Sequence, residues 1–204
     1  MTPPKAFGSM TGSSSMAARS RLAALGSRLS PSIDMTAVEG VVIGGLFGAL
    51  QAGLVMSLYR TEMVYEIGGI VGLYSLNGGW YVLLALGILF GIPFVAFVSG
   101  SINSFANTVI MLSSRSSALQ KLLVPLLKRS ALGVTCAGVG QLYGVGVGVL
   151  FQLVALPVWL RFVMGLSVPV PYLTVGGVVG VVAWALYGGA MGLVYGLILE
   201  NSTG

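Results

Sequence analysis

Few side chains able to do chemistry lie within the long apolar stretches of this chain. They are Glu39, Gln51, Gln141, Gln152, and Asn103 with Asn107 four residues apart. A polar group placed in hydrocarbon costs free energy unless it finds a partner, so these positions are where function is sought first. An amide donates and accepts, and so suits either a hydrogen bond that fixes two helices in register or the polar lining of a solute path. Gln51, Gln141 and Gln152 are the candidate lining, with Gln141, directly after Gly140, read on the glycine face of its helix. Glu39 falls in the first turn of its segment, where a carboxylate complements the helix N-terminus. The sequence has no histidine, so the commonest metal ligand and general base is missing. Glu62 and Glu66 are the only close pair of carboxylates, and four residues apart they read as two solvated groups on one helix face. The single cysteine, Cys136, reads as a small packing residue. No catalytic, cofactor or metal site is expected, and the chain is not read as an enzyme.

The elements that must carry these residues are helices in a membrane. Of 204 residues 56% are hydrophobic and only 7% charged, against about a quarter charged in soluble domains. The apolar runs are continuous and do not alternate, which excludes barrel strands. Four spans are expected: 36–59, 80–100, 131–156 and 173–199. Each exceeds the length needed to cross a core of about 30 Å at 1.5 Å per residue. Three of them repeat glycine every fourth position: Gly40, Gly44 and Gly48; Gly140, Gly144 and Gly148; Gly188, Gly192 and Gly196. That spacing keeps the glycines near one helix face and lets a neighbouring backbone come close. The fold class is an all-α integral membrane four-helix bundle packed through glycine ladders. Pro93, inside the second span, is expected to kink it or to sit where a neighbour satisfies the freed carbonyl.

Charge sets the expected orientation. Ten Lys and Arg are present. With the tail and the middle loop inside, eight lie inside and two, Arg60 and Arg161, outside, which satisfies the positive-inside rule with both termini cytoplasmic. Tyr59, Trp80, Tyr81, Trp159 and Tyr172 then fall at the outer interface. Residues 1–35 are read as a disordered basic tail, with Lys5, Arg19, Arg21 and Arg28 and no acid before Asp34. Three readings fit it: a disordered cytoplasmic tail, an organelle-targeting peptide, which would put the protein in an organelle inner membrane, or an upstream extension of a chain starting at Met35. The inner loop 101–130 carries Leu119, Leu122, Leu123, Leu126 and Leu127 at helical spacing beside Lys121, Lys128 and Arg129, a basic amphipathic stretch on the inner leaflet. The connection 60–79 reads as an interfacial helix, with a re-entrant segment as the alternative. Pro169-Val170-Pro171 reads as a stiff outer turn.

Spans 1 and 3 share a direction, a glycine ladder and a following glutamine, consistent with a parallel repeat. The glycine-dense run from Gly138 to Gly148 resembles the inner helices of rotary ATPase proteolipids. Those require a mid-membrane carboxylate in the next span, and residues 173–199 contain no charge. Leu156-Pro157-Val158-Trp159-Leu160, Val168 to Leu173, Leu186-Tyr187-Gly188 and Gly192 to Gly196 resemble small, largely uncharacterised four-span membrane proteins of haloarchaea. Trp184 stands where that resemblance leads one to expect a histidine. The resemblance implies a plasma-membrane four-helix protein and no activity. The sequence thus points to a structural or accessory membrane protein that packs against itself, as a homo-oligomer, or against a membrane-protein partner, with no nucleic acid. The alternative is a small-solute channel or carrier using the three glutamines.

Overall fold

A computed structural model describes residues 35–113 and 130–202, with side chains described outside 99–113 and 131. The basic tail and the Leu119–Leu127 amphipathic stretch lie outside the described residues. Within them the fold is an all-helical bundle, and four helices are long and apolar enough to cross a membrane. In chain order they are α1 (Met35–Tyr59), α2 (Glu62–Gly68) with a 3-10 turn (Gly69–Val71), α3 (Leu76–Ser113), α4 (Ala131–Val147), a π-helical segment (Gly148–Ala155), α5 (Leu156–Phe162) and α6 (Val175–Asn201). α4, the π segment and α5 run on as one spanning rod, Leu132–Phe162.

Helix ends follow local chemistry. Ser130, in extended backbone, caps α4: its Oγ accepts from the Gly133 N–H at 3.1 Å. The same hydroxyl donates to Glu200 Oε2, tying the ends of α4 and α6 together. Thr174 caps α6 through the Gly177 N–H at 3.2 Å. Ser75 accepts from the Gly78 N–H at 3.0 Å, so α3 starts four residues before the apolar run suggests. α3 also continues to Ser113, past residue 100. Its backbone stays helical through Asn103 and Asn107. Gly72, at φ 80°, supplies the left-handed residue that ends the 3-10 turn.

The third span outruns its expected end at residue 156 for a traceable reason. Pro157 has no N–H, so the carbonyl of Leu153, four residues earlier, loses its α-helical donor, and the proline ring crowds it. The preceding turns widen to i→i+5 bonding, with the Leu156 N–H on the Phe151 carbonyl. The Leu153 carbonyl is taken by the Tyr172 N–H at 2.9 Å, from the following connection. The backbone is therefore satisfied and the helix continues to Phe162.

α6 is the centre of the bundle. One face meets the α4 rod and another meets α1. Toward the rod, a Cβ on Gly188 would strike the Gly140 carbonyl oxygen, and one on Gly192 would strike that of Cys136. In return a Cβ on Gly140 would meet the Gly188 carbonyl, one on Gly144 that of Trp184, one on Gly148 the Val181 Cα at 2.9 Å, and one on Gly196 the Gly133 Cα at 2.7 Å. Toward α1, Gly40 lies 2.9 Å from the Tyr195 ring, Gly44 lies 2.9 Å from the Met191 carbonyl, and Gly48 lies 2.6 Å from the Tyr187 carbonyl (all measured from an added Cβ). Helices gain little from hydrophobicity inside lipid, so dispersion between closely packed backbones holds them together. α3 joins α1 through a pair absent from the three ladders: a Cβ added to Gly45 or to Gly87 would lie 2.6 Å from the other's carbonyl oxygen, with Gly91 against Val41.

Candidate functional site

The buried polar centre is built around Gln152, the only polar or charged residue in the core of the described part and 0% exposed. It lies in the π segment, four residues after Gly148, and so continues the line of Gly140, Gly144 and Gly148 toward α6. Opposite it, Gly180 leaves the space that the Gln152 side chain occupies. Trp184, one turn along α6, is fully buried and donates its Nε1–H to Gln152 Oε1 at 3.2 Å. The indole N–H can only donate, which assigns Oε1 to that side and leaves the Nε2 amide group on the other. Nε2 is buried with no hydrogen-bond partner among the described residues.

On its far side Gln152 borders a small cavity of about 10 Å³, shared with Glu66, Leu156, Pro157, Leu160, Val168 and Tyr172. That space matches one water molecule. Above it sits a polar lid. Arg60 Nη2 donates to Glu66 Oε1 and to the Tyr172 hydroxyl, both at 3.2 Å, and Arg60 Nε lies 3.9 Å from Glu62 Oε2. Glu66 is not a solvated residue: its side chain is 24% exposed, because α2 buries Met63, Val64 and Ile67 and carries Glu66 inward. Burial pushes its carboxyl above the ordinary glutamate range; Arg60 opposes the shift and Glu62 adds to it. The hydrogen bond that Arg60 donates to the Tyr172 hydroxyl is the main reason its guanidinium is held more firmly protonated.

Below Gln152 the space is closed by rings. Trp184 stands edge-on to Phe90, Phe151 and Tyr187 with centroids 5.2–5.4 Å apart. The Tyr187 hydroxyl donates to the Gly87 carbonyl at 2.6 Å, and the Tyr143 hydroxyl to the Phe90 carbonyl at 2.7 Å. Phe90 lies three residues before Pro93, next to the break in the helical hydrogen bonds that this proline makes. The polar lid and the glutamine are thus walled from the rest of the span by aromatic packing.

The three glutamines are not brought together. Gln152 is sealed in the core, Gln51 is half-buried on α1, and Gln141 is exposed on the outside of α4, with its Cβ 3.8 Å from an added Cβ on Gly189 of α6. Neither Gln51 nor Gln141 borders the cavity beside Gln152. Glu39 is exposed near the start of α1. The nine ladder glycines lie within the bundle at the contacts given above. Cys136 is buried, and its carbonyl faces Gly192. Among the described residues no cluster of three or more His, Cys, Asp or Glu could hold a metal ion. The Trp184 and Tyr172 partnerships were not read from the sequence. A signal for the first was present, since Gln152, Gly180 and Trp184 each fall on a ladder line at intervals of four. Comparison with protein-family models, with curated proteins and with solved structures gives no match.

Proposed function

We propose that this multi-pass membrane protein is a structural or accessory subunit that binds another membrane helix through the outer seam of α4 and α6. The observation that carries this reading is Gln141. It lies nine residues into the third span, about 14 Å along the helix axis, exposed, with no hydrogen-bond partner among the described residues. An amide facing lipid at that depth is costly and is satisfied by a second helix. The uncrowded Gly189 beside it leaves room for that helix to approach. The channel reading, lined by Gln51, Gln141 and Gln152, draws no support from amides that face three different surroundings.

In this reading the protein sits in the plasma membrane with both termini cytoplasmic, supported by the eight-to-two distribution of Lys and Arg. The resemblance of residues 156–196 to haloarchaeal four-span proteins supports the same location. The test is native mass spectrometry of the protein extracted gently from its own membrane, alone and as Gln141→Leu. A discrete complex, with a second copy or with another membrane protein, is expected for the unaltered chain. Gln141→Leu is expected to lower the complexed fraction several-fold, in line with an interhelical amide bond of about 0.6 kcal/mol and up to about 1.7. A lone chain before substitution, or a complex indifferent to it, overturns the assignment.

A further inference from the structure

A second feature of the membrane-embedded surface lies apart from the Gln141 seam and shares with the polar centre only the outer faces of the rings that wall it, Phe90 and Phe151. Between α3 and the α4 rod runs an open groove of about 470 Å³, walled by Phe90, Phe97, Tyr143, Leu150 and Phe151 and ending at Ala155. Its floor is Gly146, where an added Cβ would meet nothing within 4 Å. This glycine therefore plays no part in helix packing, although Gly144 and Gly148 on either side are pressed against α6. Its missing side chain has one visible effect, which is to leave the groove open between Leu142 and Leu150.

We infer that the groove holds one hydrocarbon tail of a membrane phospholipid as a bound lipid. Depth restricts the occupant, since residues 142–155 lie well inside the span Leu132–Phe162 and what surrounds them there is hydrocarbon. Polarity restricts it further. The lining carries no charged residue, and its one hydroxyl, on Tyr143, is already donated to the Phe90 carbonyl. Size separates a lipid tail from a protein helix. Along the rod the groove runs from Leu142 to Ala155, thirteen helical rises or about 20 Å. A helix about 10 Å across and of that length fills roughly 1,500 Å³, so it would rest on the rim, whereas a single extended chain fits within. Leaving such a gap unfilled would forfeit the dispersion contacts of both walls. Charge favours a phospholipid over a neutral lipid. Arg161 lies six residues beyond Ala155 on the same rod, about 9 Å further along. It is exposed with its guanidinium over the Phe162 ring, within reach of a headgroup phosphate above a tail in the groove.

The test uses phosphatidylglycerol carrying a photoactivatable diazirine in one acyl chain. The full-length protein is labelled in vesicles containing this lipid, and the adducts are mapped by mass spectrometry. Adducts are expected to concentrate on residues 142–155 of the rod and 90–97 of α3, well above those at the lipid-facing residues Leu54 and Val178. Gly146→Phe is expected to cut groove labelling at least ten-fold with thermal stability retained, and Gly146→Leu to cut it by less. Val178→Phe is expected to leave it unchanged. Arg161→Gln is expected to lower labelling by the phosphatidylglycerol probe several-fold but not by a diazirine diacylglycerol. Adducts spread in proportion to exposure would mean bulk lipid only and overturn the proposal. So would labelling unaltered in Gly146→Phe, or a second protein chain cross-linked into the groove.

Discussion

Gly144 and Gly146 are two residues apart on one helix and do opposite things. At Gly144 a Cβ would collide with the Trp184 carbonyl of α6, whereas at Gly146 it would enter open space. The α4–α6 seam and the α3–α4 groove differ in the same way. On the first, glycines recur every four residues and meet glycines on a helix running the other way, so backbone lies on backbone. On the second, contact is made by the rings of Phe90, Phe94, Phe97, Tyr143 and Phe151, which hold the helices apart and leave a channel between them. A glycine brings helices together only where it lies on the facing line; elsewhere in the same run it leaves room.

The largest effect is expected at the seam. Gly144→Leu or Gly192→Leu drives a side chain into an opposing backbone carbonyl, which has no flexible end to move aside. The loss should exceed the roughly 1–3 kcal/mol of ordinary overpacking, seen as failure to accumulate or a large drop in melting temperature in detergent. Gly26→Leu, in the tail, is expected to change neither.

The next effect is at the polar centre. Trp184→Phe removes the one donor to Gln152 Oε1 and leaves the whole amide buried without a protein partner, at a cost of about 1–3 kcal/mol. Replacing both, as Gln152→Leu with Trp184→Phe, should cost less than the two single changes together. A double-mutant cycle in chemical denaturation measures the difference, and strict additivity would remove Gln152 from the account.

The smallest effect lies at the lid. Glu66 has its carboxyl pKa raised by burial and held down by Arg60. Its contribution to stability is therefore fullest below the ordinary glutamate pKa, about 4.3, and is lost as pH rises through the raised value. Arg60→Gln removes the opposing charge and should raise the Glu66 pKa further, read from its carboxyl stretch in infrared pH titration. A fall in that pKa would contradict the arrangement of the lid.

The parts of this structure that depend on helical spacing could be read from the sequence, and those that depend on chain reversal could not. The ladders declare themselves because intervals of four fix a helix face before any partner is known. The pair Gly45 and Gly87 escaped because in span 2 only Gly87 and Gly91 stand four residues apart, too short a run to stand out. The expected placement of Gln141 on the glycine face fails for a related reason. Gln141 follows Gly140 by one residue, about 100° around the helix, and is turned outward, while Gln152 continues the ladder at Gly148 plus four and is turned inward. Glu66 looked solvated because nothing local reveals that α2 folds it toward α5 and the Tyr172 connection. The continuation past Pro157 depends on an N–H donated from fifteen residues downstream, beyond the reach of local pattern.

Position on the facing line, and not glycine content, decides where these helices meet. Thermal stabilities of Gly144→Leu and Gly146→Leu in the same detergent separate the two. The first is expected to unfold or to melt far below the unaltered protein. The second should match it or exceed it by up to about 1 kcal/mol, the helix-propensity gain on replacing an exposed mid-helix glycine. Equal destabilisation by both would contradict it.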